Sequence, residues 1–145
     1  MKTYQTKSKD IKRYWHLVDV DGKVLGRVAT QIAQLLMGKY KKDYVNNYDM
    51  GDYVVVINAS KVEVTGRKKD QKVYYRHSGY PGNLKEITFK KYLEDDPGKI
   101  IEIAVSGMLP KNRLHKKRMS RLKTFSGNDH IYEDKFVKAK KNKKE

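Results

Sequence analysis

Basic side chains form four clusters along the chain, and phosphate binding is the chemistry that their types and spacing favour. Lysine offers a compact positive charge, and arginine offers a planar fork of donors suited to phosphate oxygens. The clusters follow a predicted helix, occupy a predicted turn, border a glycine-rich loop and fill a long stretch near residue 115. Their members are Lys39, Lys41, Lys42, Arg67, Lys68, Lys69, Lys72, Arg76, His77, Lys111, Arg113, Lys116, Lys117, Arg118, Arg121 and Lys123.

The densest cluster is the segment SGMLPKNRLHKKRMSRLK, Ser106 to Lys123, which has eight basic side chains counting His115 and no acid. A helical wheel over 113–123 divides this segment into a basic half and an apolar half. The basic half contains Arg113, Lys116, Lys117, Arg121 and Lys123. The apolar half contains Leu114, Met119 and Leu122, with Arg118 among them. If the segment is helical, its basic half points away from the core.

The whole chain is strongly basic, with a net charge of +16 from 33 Lys and Arg against 17 Asp and Glu. The excess is spread along the chain, since residues 1–72 carry +7 (15 minus 8) and residues 73–145 carry +9 (18 minus 9). Such a charge repels itself in a compact state, so a polyanionic partner is favoured. A merely solvated surface is the alternative for each cluster taken alone. Tyr40, Tyr44, Tyr74, Tyr75 and Tyr80 lie between the clusters, where their rings either stack on bases or pack within the fold.

Catalytic and metal-binding patterns are missing from the sequence. The four histidines, at 16, 77, 115 and 130, lack the spacing of a zinc site. Gly66 precedes lysines, but the second glycine and the Lys-Ser/Thr of a phosphate loop are missing. His77 and Ser78 are adjacent without a G-x-S-x-G elbow, so a hydrolase is disfavoured. We therefore expect no enzyme activity, no metal and no cofactor.

Composition also bears on cellular location. The chain has no cysteine, so disulfides and thiolate metal sites are excluded. The start of the sequence lacks the apolar stretch of a secretory signal, and no run approaches the ~20 apolar residues of a transmembrane helix. We expect a soluble, cytosolic protein.

The predicted elements alternate between strands and helices. Apolar runs predict strands at 15–20 and 52–58, a further extended piece at 72–77 and a last strand at 123–127. An amphipathic pattern predicts a helix that Gly38 ends. Thr88 and Asp96 are placed to cap two more helices, although the apolar run after Pro97 is also compatible with a strand. A loop of glycine, proline and asparagine occupies 78–83.

This alternation predicts an α/β layered fold with a largely parallel sheet. We expect a basic arm at 1–13, a single domain at 14–130 and a flexible Lys-rich tail at 131–145.

Several stretches together resemble the bacterial-type large-subunit ribosomal proteins of the L13 family, over about residues 1–130. They are WHLVDVDGKVLGRVATQIAQLLMGK, GDYVVVINASKVEVTGRKKDQKVYYRHSGYPG, IEIAVSGMLPKNRL and LKTFSGNDH. The resemblance implies a three-layer α/β/α fold around a four-stranded sheet. It also implies binding to 23S-type rRNA early in assembly, contacts with neighbouring ribosomal proteins, and mRNA as a further partner. An RNA-modifying enzyme and a DNA-binding architectural protein remain the alternatives.

Overall fold

A computed structural model describes residues 6–136 of the chain. Residues 1–5 and 137–145 lie outside the described part, so the predicted arm and tail can be followed only over 6–13 and 131–136. The flexibility expected of the tail stays a prediction. Within the described residues, no helix is both long and apolar enough to cross a membrane.

Five strands and five α-helices lie wholly within the described residues, with short 3₁₀ turns at Ser8–Asp10 and Ala59–Lys61, and residues 133–136 are also helical. The strands are β1 (Trp15–Asp19), β2 (Tyr53–Ile57), β3 (Val73–His77), β4 (Leu84–Thr88) and β5 (Leu122–Thr124). The helices are α1 (Leu25–Met37), α2 (Lys68–Gln71), α3 (Phe89–Asp95), α4 (Pro97–Met108) and α5 (His115–Met119). The prediction of an α/β fold is confirmed. The run after Pro97 is a helix, which settles the helix-or-strand alternative.

The central sheet has three parallel strands in the order β1-β2-β5. β2 lies in the middle, and its residues Val54, Val55 and Val56 are fully buried, as expected of a strand covered on both faces. The four-stranded sheet expected from the resemblance is wrong in number. Beyond the ends of β1 and β2, the segments that follow them meet again only in an isolated parallel bridge between Val24 and Glu63, after the 3₁₀ turn at Ala59–Lys61.

The segment 72–77, predicted as extended, is also separate from this sheet. As β3 it pairs with β4 in an antiparallel hairpin, with Tyr75 opposite Glu86 and Arg76 opposite Lys85. The N–H of Phe89 donates to the carbonyl of Lys72 at 2.8 Å and closes the base of the hairpin, while the buried Phe89 side chain lies in the core. The glycine-rich segment 78–83 is therefore the tip of a hairpin.

Helices α1 and α4 pack together on one face of the sheet and form the core with Val54, Val56 and Leu122. The α1 stripe of Val28, Ala29, Ile32 and Leu36 is buried, as the amphipathic pattern predicts. Gly38 ends α1 in the left-handed region, at φ 76°, with its N–H donating to the carbonyls of Gln34 and Leu35. A Cβ there would lie 2.5 Å from the carbonyl oxygen of Met50, so only glycine fits.

The two predicted N-caps are confirmed. The hydroxyl of Thr88 accepts from the N–H of Lys91 at 3.5 Å, at the start of α3. The carboxylate of Asp96 accepts from the N–H of Lys99 at 3.1 Å, with Pro97 in the first turn of α4. These contacts satisfy N–H groups that lack a partner within the helix.

Aromatic rings lie on the other face of the sheet. The ring of Trp15 stacks on Tyr53, its partner in the strand register, with centroids 4.4 Å apart. Tyr132 and Phe136 also contact Trp15, at 5.1 and 6.3 Å between centroids. Residues 130–136 thus pack their rings near the start of β1.

Candidate nucleic-acid interface

Two aspartates, Asp49 and Asp52, anchor the basic segments that precede the central strands. Both lie just before β2, in the stretch DMGDYVVV, and so sit at the amino-terminal edge of the parallel sheet. At the same edge, Arg13 precedes β1 and Arg121 precedes β5. Cationic side chains from three parts of the chain therefore converge on two acids.

Asp52 is fully buried and is surrounded by donors. Its carboxylate accepts from Nζ of Lys41 at 2.5 Å, Nε2 of His16 at 2.9 Å and the N–H of Tyr14 at 3.1 Å. The hydroxyl of Tyr40 also donates to it. Burial alone would raise the pKa of Asp52, but the hydrogen bonds from His16, Lys41 and Tyr40 outweigh it and hold the pKa below its ordinary value. Asp52 is therefore ionised at neutral pH and fixes Lys41 in place.

Asp49 accepts a two-pronged hydrogen bond from Arg121, whose Nη1 and Nη2 each lie 2.5 Å from a carboxylate oxygen. Nε of Arg118 lies 3.7 Å from the same carboxylate, and Nη2 of Arg13 donates to the Asp49 carbonyl at 3.1 Å. Burial raises the pKa of Asp49, but the bonds and charge of Arg121, with the charges of Arg13 and Arg118, bring it below the ordinary value. Three arginines thus share one carboxylate.

This arrangement corrects the helical wheel drawn over 113–123. The helix, α5, spans only His115–Met119, and the chain enters β5 at Leu122. Arg121 was placed on the outward half, yet it is buried at 7% exposure, and Arg118 is buried at 2%. The physical reason is Asp49, a partner 72 residues away that pairs both arginines inside the protein. The charges of Arg118, Arg121 and Lys41 are committed to internal pairs.

Other basic residues of the predicted site remain on the surface. Around α5 and after α1, the exposed members form the group that we call the amino-edge cluster. It consists of Lys39, Lys42, Lys111, Arg113, Lys116 and Lys117. Lys123 is half-buried in β5, opposite Val55 in the register. The pairs of Arg118 and Arg121 with Asp49 hold the segment after α1 against α5, which brings the two sources of this cluster together.

A second exposed group, which we call the hairpin cluster, lies on α2 and β3. It consists of Arg67, Lys68, Lys69, Arg76 and His77. Lys72 is half-buried, with its Nζ 5.1 Å from the centre of the Tyr74 ring. The predicted site is therefore divided between two basic regions, one around α5 and after α1 and one on α2 and β3.

The described residues hold no arrangement typical of catalysis. Nε2 of His115 lies 3.3 Å from the Ser106 hydroxyl and 3.2 Å from the Ser106 carbonyl, so this contact ties α5 to α4. No carboxylate of residues 6–136 is bonded to His115, as a serine triad would require. The same residues contain no group of three side chains suited to a metal. A cleft of about 440 Å³ lies beside the Asp21–Lys61 ion pair, Phe89 and Leu93, and its acids and bases are mixed.

Sequence reasoning did not predict roles for Asp49, Asp52 and His16. A signal was present: two acids stand within four residues, directly before the most apolar strand of a basic chain. Acids in that position are commonly buried with partners, since a buried unpaired charge is costly.

Known proteins resemble this chain over most of its length. A sequence model described as Ribosomal protein L13 matches residues 13–131. The large ribosomal subunit protein uL13 of Chloroflexus aggregans is 51% identical over 130 residues, which cover 90% of this chain and 91% of the relative. The protein of that name from Thermotoga maritima is 52% identical over 132 residues, covering 91% and 89%. The one from Syntrophus aciditrophicus is 49% identical over 133 residues, covering 92% and 94%.

Proposed function

The chain belongs to the ribosomal protein L13 family, and from that premise we propose that it is a structural constituent of the large ribosomal subunit. The observation that carries this proposal is identity of about half of all residues to large-subunit proteins over nine-tenths of the chain. The proposed role is binding rather than catalysis. As part of the ribosome, the protein would act in the cytoplasm beside neighbouring ribosomal proteins.

The proposed RNA target is 23S-type rRNA, bound early in subunit assembly through the amino-edge and hairpin clusters. Support comes from the rigidity of the structure that carries the amino-edge cluster. Asp49 fixes Arg118 and Arg121 beneath the cluster, and His115 ties α5 to α4. Cations on a rigid support lose less conformational freedom on binding phosphate. The paired residues Lys41, Arg118 and Arg121 serve in this proposal as supports for the exposed cations.

The test is binding of the full chain to a large-subunit rRNA fragment as a function of salt, with duplex DNA as competitor. Phosphate contacts release counterions, so the logarithm of the binding constant should fall linearly with the logarithm of salt concentration. We expect steep salt dependence, preference for rRNA at equal salt, and co-sedimentation with the large subunit. Binding that does not respond to salt, or that prefers DNA, contradicts the proposal.

Binding of mRNA is a further part of the proposal. Recognition of phosphates by exposed lysine and arginine carries no sequence information by itself, so the same surface can engage a folded mRNA. Competition between an rRNA fragment and an mRNA leader for the protein tests this point. Simultaneous binding of both RNAs contradicts a shared surface.

A further inference from the structure

The β3–β4 hairpin has two chemically different faces. On one face, Tyr74 packs against Phe89 and Tyr92, with ring centroids 6.5 and 5.3 Å apart. On the other face, Tyr75 and Leu84 are largely in water. Side chains alternate between faces along a strand, so Tyr75 cannot join the packing of Tyr74. One face of the hairpin is therefore occupied by the domain and the other is open.

Exposure separates the hairpin tyrosines from the other rings among the basic clusters. Tyr80 is 74% exposed and Tyr75 is 65% exposed, the highest values of any tyrosine in the described part of the chain. Tyr40 donates to Asp52, Tyr74 is stacked in the fold, and Tyr44 is half-buried. Of the rings that the sequence suggested for base stacking, the structure thus leaves Tyr75 and Tyr80 free for it.

The tip of the hairpin holds Tyr80 on an ordered turn. The N–H of Asn83 donates to the Tyr80 carbonyl at 3.2 Å, and Gly82 has φ 71°, which with Pro81 is the pattern of a type II turn. The Asn83 side-chain amide also donates to the Ser78 hydroxyl at 2.8 Å. An ordered turn reduces the entropy lost when its ring stacks on a partner.

His77 contributes to the same turn. The N–H of Gly79 donates to Nδ1 of His77 at 2.9 Å, which leaves the ring proton on Nε2. The exposed imidazole can therefore donate one hydrogen bond outward from Nε2. A phosphate or sugar oxygen is a suitable acceptor.

The charges near the tip indicate an anionic partner. Arg76 and Lys85 are exposed and stand directly opposite each other in the strand register. Like charges in that position destabilise a hairpin unless an anion lies between or beside them. From Arg67 to Glu86 the chain has six Lys and Arg against two acids, Asp70 and Glu86, a net charge of +4. This balance favours RNA over an apolar protein surface as the occupant.

We propose that the hairpin is a stacking platform for unpaired RNA nucleotides, with Tyr75 and Tyr80 each against a base and Arg76 and Lys85 against phosphates. This inference rests on the proposed function and names the kind of RNA that the hairpin cluster binds. Tyr75 lies on the open face, whereas Arg76 and Lys85 share the face of Tyr74 but are exposed, one step nearer the tip than its packed ring. The RNA therefore meets the open face and the tip of the hairpin, which the domain does not cover.

The test compares two RNA probes and three forms of the full chain. The probes are a fluorescein-labelled oligo(A) of about twelve nucleotides, within the usual site size for single strands, and an RNA duplex of equal length. The ring-deleted form is Tyr75→Leu/Tyr80→Leu, and the ring-retaining control is Tyr75→Phe/Tyr80→Phe. Tyr48→Leu controls for loss of a less exposed ring outside the hairpin. Fluorescence anisotropy at one salt concentration gives each Kd.

Stacking predicts that the ring-deleted form binds oligo(A) at least about tenfold more weakly than the wild type, since stacking is lost at two bases. The Phe and Tyr48 controls should stay within about twofold, and the affinity for the duplex should not change. Because the duplex is measured on the same protein, a misfolded hairpin would reveal itself as a loss of duplex binding as well.

Two results overturn the inference. One is equal oligo(A) affinity in the wild type and the ring-deleted form. This result includes the case in which the ring-deleted form instead loses contact with a neighbouring ribosomal protein, which would then be the partner of Tyr75 and Tyr80. The other is equal loss of oligo(A) and duplex binding in a ring-deleted form whose thermal unfolding midpoint matches that of the wild type, so that misfolding is not the cause. Co-sedimentation with the large subunit tests the proposed function separately. If co-sedimentation persists, either result contradicts the stacking platform and leaves the proposed function in place.

Discussion

Asp49 shows why a protein with so large an excess of cations also needs particular acids. Arg121 and Arg118 are buried, and Asp49 is the carboxylate that both approach. Replacing Asp49 by Asn keeps the shape but leaves the buried arginines without a counter-charge. Breaking a buried pair costs ~3–5 kcal/mol, and we expect about 3 kcal/mol here, since Asp49 keeps some contact with water. Denaturant unfolding measures this loss. The matched control, Asp129→Asn at an exposed position, should change stability by less than ~0.5 kcal/mol.

Acid conditions test the same two aspartates without a mutation. The folded pKa values of Asp49 and Asp52 lie below the ordinary 3.8, so the folded state binds fewer protons than the unfolded state in the acid range. Their contribution to stability is complete above the unfolded pKa and is lost as pH falls through 3.8 toward the folded values. Unfolding free energies measured down that range should fall steadily. The Asp49→Asn variant should lose less than the wild type, and an equal loss contradicts the assignment.

Replacing Gly51 or Gly26 by alanine should change the free energy of unfolding in opposite directions. A Cβ on Gly51 would lie 1.7 Å from the carbonyl oxygen of Leu36, a backbone atom that cannot move aside cheaply. Gly51→Ala should therefore destabilise by at least ~3 kcal/mol. Gly26 lies within α1, and a Cβ there meets nothing within 4 Å. Gly26→Ala should stabilise by ~0.5–1 kcal/mol through helix propensity. Thermal unfolding of both variants measures the difference, and a neutral Gly51→Ala would show that the close approach to α1 is not required.

At the scale of elements, local signals predicted what depends on neighbours along the chain. The stripe of α1, its end at Gly38, and the caps Thr88 and Asp96 each rest on residues within a few positions of one another. The segment 113–123 was different, because its basic half was assigned as though the helix were isolated. Asp49 draws Arg121, which the wheel placed outward, into the protein, and Leu122 pairs with β2. Neither partner is close in sequence, so periodicity could not identify them.

The candidate site, too, was predicted where it depends on local sequence and missed where it depends on distant partners. The sequence predicted the basic clusters correctly as mostly exposed side chains, because lysine and arginine stay in water unless a partner is buried with them. It could not predict that 39–42 and 111–121 lie together, since that depends on the pairs made by Asp49 and Asp52. It also placed Arg76 and His77 beside a glycine loop without predicting an antiparallel hairpin, because the strand 84–88 has a weak apolar pattern of its own.

Substitutions on and just before α5 distinguish cations that bind RNA from cations that stabilise the fold. Arg113→Glu/Lys117→Glu changes two exposed residues and should weaken binding to an rRNA fragment at least about tenfold, with a salt slope lower by about 2. The stability of the free protein should be unchanged. Lys90→Glu/Lys91→Glu on α3 alters net charge equally and is the matched control. Arg121→Glu should instead unfold the domain, because it sets two carboxylates against each other where a pair existed. Equal binding by the α5 variant and its control would remove α5 from the interface.

Across the whole molecule, a net charge of +16 acts on the free protein and on its RNA complex in opposite directions. The exposed cations of the free protein repel one another, and salt screens that repulsion over ~8–10 Å. The internal pairs of Asp49 and Asp52 are buried and are screened much less. Raising salt from about 50 to about 200 mM should therefore increase the unfolding midpoint of the free protein, while weakening rRNA binding by several orders of magnitude if six or more phosphates are contacted. Thermal unfolding and filter binding over one salt series measure both. A free protein that salt destabilises would mean that surface ion pairs outweigh the repulsion, and the cationic surface would then have a structural partner within the chain itself.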